Sequence, residues 1–108
     1  MPTTTWTNNA PGTASGGTWS NGVPQNGYDV RVDSASSANN LNWDLVGITL
    51  NSFTAVGTGG AITESQPVVC TGAFSVSGWT WNTSTKTLTT GDITLGTNAT
   101  LAFTRYAA

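Results

Sequence analysis

Apolar and polar residues alternate in short runs along this chain, and the clearest run extends from Tyr28 to Asp33. Tyr28, Val30 and Val32 fall on one side of an extended strand while Asp29, Arg31 and Asp33 fall on the other, which predicts one dry face and one wet face. The residues before it punctuate the chain. Asn21-Gly22 and Asn26-Gly27 tolerate positive φ, and Pro24 fixes its own φ and pushes Val23 extended. Leu41, Trp43 and Leu45 then alternate with Asn42 and Asp44 as a second strand. Gly47 breaks the run, and Ile48-Thr49-Leu50 restarts it at a bend or bulge where the chain changes sheet. Phe53 to Val56 forms a short continuation, and Gly57 to Gly60 a flexible loop.

Further short apolar pieces follow at Ile62, at Val68 to Cys70, at Phe74 and Val76, at Trp79 and Trp81, at Leu88, at Ile93 and Leu95, and at Ala99, Leu101 and Phe103. Pro67, lacking an N–H, belongs at an edge or a strand start. Asn82 to Lys86 reads as a hairpin-like or corner turn. Strands this short, separated by turns about every eight to twelve residues, predict an all-β domain built as a sandwich, a barrel or a solenoid. Ile48-Thr49-Leu50, Ile93-Thr94-Leu95 and Leu101-Ala102-Phe103 are loosely alike, yet they fit no single period. The expected inward set is Tyr28, Val30, Val32, Trp43, Leu50, Phe74, Val76, Leu101 and Phe103.

Composition agrees with this class. The 108 residues make one domain with a modest core. Only 7% of them are charged, against about 25% in an ordinary soluble domain, so Thr, Ser, Asn and Gly must clothe the surface. Thr is the commonest residue, the usual helix-surface residues are scarce, and no window carries a helical stripe. A net charge of −2 offers no footprint for nucleic acid or an anionic membrane. No apolar run reaches the ~20 residues of a membrane helix, and Met1 to Thr5 has neither the basic start nor the apolar stretch of a signal peptide. Residues 1–18, polar but for Trp6, are expected to form an extended N-terminal arm or a cap on a β domain of residues 19–108. Trp6 then either plugs this chain's own core or docks on a neighbouring subunit. In the docking case, removing residues 1–12 would leave the core folded.

Gly16-Gly17-Thr18-Trp19-Ser20-Asn21-Gly22-Val23-Pro24, followed by Asp29-Val30-Arg31-Val32 and by Ile48-Thr49-Leu50, resembles the start of the right-handed β-helical passenger domains of autotransporters and filamentous adhesins. The resemblance covers roughly the first half of the chain, and the long later repeats of that family are missing. It implies a β-rich surface protein and favours a β-helix-like stack over a jelly-roll-type sandwich. In size and β content the chain is also similar to phage capsid decoration, or cement, proteins.

Candidate chemistry is sparse. There is no histidine, and the one cysteine, Cys70, follows Val68-Val69 without a nearby Lys to activate it, so it reads as a buried thiol. The carboxylates Asp29, Asp33, Asp44, Glu64 and Asp92 are scattered, with nothing to set two of them at the roughly 5–10 Å a glycosidase needs. Gly57 to Gly60 lacks the Lys-Ser/Thr of a phosphate loop. No cofactor or metal is expected. Trp79 and Trp81 share a strand face at ~7 Å; they fill the core, anchor an interface or form a platform for sugar rings. Trp6, Trp79 and Trp81 are therefore the candidate interface residues. The expectation is a non-enzymatic virion protein, a head decoration that binds a major capsid protein as a homo-oligomer, dimer or trimer. The alternative is an extracellular or cell-surface binding module, an adhesin fragment or a carbohydrate-binding domain.

Overall fold

A computed structural model describes the chain except for residues 1–2, 8–10, 33–39, 57–59, 85, 97–98, 103–104 and 108. Thirteen short strands run through the described residues: β1 (Thr3–Trp6), β2 (Gly12–Thr13), β3 (Asp29–Val32), β4 (Leu41–Trp43), β5 (Ser52–Ala55), β6 (Ala61–Glu64), β7 (Val68–Val69), β8 (Phe74–Val76), β9 (Thr80–Asn82), β10 (Thr87–Thr89), β11 (Ile93–Leu95), β12 (Thr100–Ala102) and β13 (Arg105–Ala107). No helix occurs among the described residues, so the chain is all-β.

Three sheets result, with orders β1-β3-β5-β8-β11, β2-β4-β6-β9-β12 and β7-β10-β13. Every ladder within them is parallel. From β5 onward the chain visits the first, second and third sheet in turn, and each circuit lays its strands on those of the circuit before. Leu50, between β4 and β5, joins the third side through a single parallel bridge to Cys70. That bridge is all that forms of the strand expected at Ile48-Thr49-Leu50, and β4 likewise stops at Trp43 although Leu45 still packs on the core.

Alternation turns directly into burial. In β3, Val30 and Val32 are buried and Arg31 is exposed, with Tyr28 half-buried beside them. Parallel register then stacks like on like: Val30, Phe53, Phe74 and Ile93 form one inward column, and Val32, Ala55, Val76 and Leu95 a second. Phe53 sits at the centre, its ring 5.6 Å from Trp43, 6.1 Å from Phe74 and 4.8 Å from Trp81. Each such aromatic pair adds about 0.5–1.5 kcal/mol beyond area burial. Trp43, Leu50, Phe74 and Val76 are buried as expected. The inward positions expected of Leu101 and Phe103, the wet position of Asp33, and residues 57–59 of the expected Gly57 to Gly60 loop fall outside what is described.

The corners explain the turn residues. Gly22 and Gly27 carry φ of 84° and 82°, the left-handed backbone that their Asn-Gly pairs predict. Pro67 immediately precedes β7, a strand start. β9 and β10 belong to different sheets, so the turn between them is a corner and not a hairpin. It is held by the Ser84 N–H on Asn82 Oδ1 at 2.8 Å and the Lys86 N–H on the Thr83 carbonyl at 2.9 Å.

The extended N-terminal arm gives way to the other expectation for residues 1–18, a cap in which Trp6 plugs this chain's own core. β1 pairs in parallel with β3, and β2 with β4, so this segment is built into the two sheets as their first layer. Thr4 and Trp6, at alternate positions, are both fully buried. Backbone donors and acceptors at the edge of β3 and an apolar floor of Val30 and Val32 give the segment more to bind here than an isolated arm would have.

Candidate functional site

The three tryptophans singled out by the sequence all lie inside, each at most 1% exposed. Trp6 packs edge-on against Trp19, centroids 5.1 Å apart, and its ring lies so close to Gly17 that a Cβ there would sit 2.1 Å from it. Trp79 donates its indole N–H to the Val56 carbonyl at 3.1 Å. Trp81 lies edge-on to Phe74 at 4.7 Å and donates to Glu64 Oε2 at 3.0 Å. Trp79 and Trp81 do share a face, but it is the inner one. Of the roles expected for these indoles the core role is the one seen, and a contact surface or sugar platform made of them is set aside, because neighbouring circuits cover these three positions.

Glu64, weighed in the sequence only as one of five scattered carboxylates, is a core residue. It is 1% exposed, one carboxylate oxygen accepting from Trp81 and the other from the Val68 N–H at 3.0 Å. Burial pushes its carboxyl up to about 7, against the pull of those two donors. The signal was present in the alternation: Glu64 lies two positions after the buried Ile62 and so on the same face of β6.

The remaining groups do not converge. Asp29 accepts from the Ser52 hydroxyl at 2.6 Å and the Asn51 amide at 2.7 Å, and these bonds lower its carboxyl below the usual value. Asp44 accepts the Ser15 N–H at 2.8 Å. Cys70 is buried, its thiol facing the carbonyls of Asn51 and Ala73 and pushed up by burial. Among the described residues no three His, Cys, Asp or Glu side chains gather as a metal would require.

The outer surface is a set of polar ladders. Thr5, Arg31, Thr54, Ser75 and Thr94 align across the first sheet, and Thr13, Asn42, Thr63 and Asn82 across the second. A shallow groove of about 440 Å³ lies beside β2, lined by Pro11, Gly12, Thr13, Asn40, Asn42 and Thr63 among others. It holds no aromatic ring. The side-chain carbonyls of Asn40 and Asn42 already accept from the Ala61 N–H and the Ser65 hydroxyl. Among the described residues the arrangement is a polar outer surface over a buried aromatic core. No protein-family model, curated protein or solved structure matches this chain.

Proposed function

We propose that this chain is a non-enzymatic structural protein with a β-helix fold that stiffens the surface of an assembly, and that the assembly is a virion whose capsid it decorates. The observation that carries the reading is the parallel stacking of three sheets around an aromatic core, clothed by ladders of Thr, Ser and Asn with few charges. Parallel ladders support a β-helix over a jelly roll, whose strands pair antiparallel. A stack of this kind resists bending and presents wide flat faces to a lattice. With the tryptophans in the core, the capsid contact falls to the outer ladders rather than to an N-terminal arm.

A second reading, the first circuits of an adhesin passenger at a cell surface, is favoured by the same stacking together with the Gly16 to Pro24 segment that closes one end. A carbohydrate-binding module has lost its proposed platform. Quantitative occupancy on purified particles tests the first reading. Saturable binding to capsids, weakened by Arg31→Glu or Thr54→Lys on the outer face, is the expected result. Failure to bind any capsid, with retention on a cell surface instead, would establish the second.

A further inference from the structure

The two ends of the stack are built differently. At the first end the outer edge of β1 is already covered, because residues 18–22 run antiparallel along it. The Thr7 N–H reaches the Thr18 carbonyl and the Ser20 N–H the Thr5 carbonyl, both at 2.9 Å. Ser20 Oγ accepts the Thr5 N–H at 2.9 Å, and the Asn21 amide donates to the Thr3 carbonyl at 2.6 Å. At the other end β11, β12 and β13 are the last strands of their sheets. Leu95 continues the inward column of Val32, Ala55 and Val76, yet it is 51% exposed where those three are fully buried. No further layer covers it among the described residues.

We propose that this open end is a self-association surface at which two copies meet tail to tail, β11 pairing antiparallel with β11 of the second copy about a two-fold axis through Thr94. Three observations select a second copy. First, the backbone groups are placed for it. The Asp92 carbonyl and the Gly96 N–H turn toward β8, so by the period of two those of Ile93 and Leu95 turn outward. An axis through Thr94 sets Ile93 opposite Leu95 of the second copy as a hydrogen-bonded antiparallel pair, with both side chains on the apolar face. Second, Ile93-Thr94-Leu95 carries no charge or proline, the devices that keep edge strands apart, so self-pairing brings no like charges together. Third, the area suffices. The molecule extends 31 × 29 × 23 Å, and the five spacings of ~4.8 Å between five layers and the covering segment come to about 24 Å, which matches the shortest dimension to the stack axis. The end face then offers roughly 500–900 Å² per copy, comparable with the ~800 Å² per partner of a stable interface. Because the outer edge of β1 is already covered, β11 of one copy cannot pair there with another, and pairing along the first sheet is tail to tail.

This inference concerns the purified chain and stands apart from the virion reading. Sedimentation equilibrium over a concentration series is expected to give twice the monomer mass. Leu95→Lys, which places two lysines across the axis, should raise the dimer dissociation constant roughly tenfold or more while circular dichroism stays unchanged. Leu95→Pro, which removes the outward N–H together with the leucine side chain and leaves the hydrogen bonds to β8 in place, should weaken it in the same direction. In the unmodified chain, hydrogen exchange at the Ile93 and Leu95 amides should slow in the dimer and quicken on dilution, a readout that does not depend on either variant folding. A monomer at every concentration would mean that a different partner takes this end and would overturn the proposal. So would open-ended filaments, or a dimer indifferent to both substitutions.

Discussion

At the scale of single residues, Glu64 has the largest consequence. An unfolded glutamate titrates near its ordinary value of 4.5, whereas in the fold burial holds Glu64 at about 7. Between those values the folded chain keeps a proton that the unfolded chain has released. The contribution of Glu64 to stability is therefore fullest below pH 4.5, declines as pH rises toward 7 and levels off beyond, a loss on the order of 3 kcal/mol. Asp29, whose carboxyl is lowered, and Cys70, whose thiol is raised, titrate outside that window. Glu64→Gln should abolish the slope in urea midpoints measured from pH 4.5 to 8. It should also cost about 1 kcal/mol at low pH, because the amide nitrogen, unlike the hydroxyl oxygen of the protonated acid, cannot accept from either Trp81 or Val68. A variant that kept the slope would place the titrating group elsewhere.

At the scale of elements, the first strand and its cover are the test of how the N-terminal segment is used. Trp6 is fully buried against Trp19, so Trp6→Ala should destabilise the whole domain by about 3–5 kcal/mol. Gly17→Ala should cost about 1–3 kcal/mol by forcing that ring aside, since the added carbon would overlap it. Removing residues 1–12 should lower the unfolding midpoint of the entire chain, because it uncovers Val30 and Val32. An independent arm would leave all three midpoints where they were. Trp6 itself was legible as an anchor because it is the one large apolar residue in a polar segment. Which body it anchors to was not, since its contacts lie on Gly17 and Trp19, across a turn whose closure no local pattern records.

At the scale of the whole molecule, stability is concentrated where the columns cross the aromatic cluster. Phe53→Ala should cost about 3–5 kcal/mol, while Val46→Ser, at a position 72% exposed, should leave the chemical-denaturation midpoint within about 0.5 kcal/mol. Similar losses at the two sites would mean that the core lies elsewhere. The repeat that sequence inspection could not find is real in space but uneven in length. In the first sheet the step is 26 positions from Thr3 to Asp29, 23 from Asp29 to Ser52, 21 from Phe53 to Phe74 and 19 from Phe74 to Ile93. The look-alike segments misled because they sit on different sides of the stack: Leu50 on the third, β11 on the first and β12 on the second. By itself the sequence determined the all-β class, the inward faces of β3 and β8 and the left-handed corners at Gly22 and Gly27, because side-chain alternation and glycine's φ are properties of adjacent residues. Only the tertiary structure decided that strands pair in parallel, that Trp79 and Trp81 face the core, and that Glu64 meets Trp81. Those outcomes depend on which strand lies beside which, and corners of unequal length remove that from any local pattern.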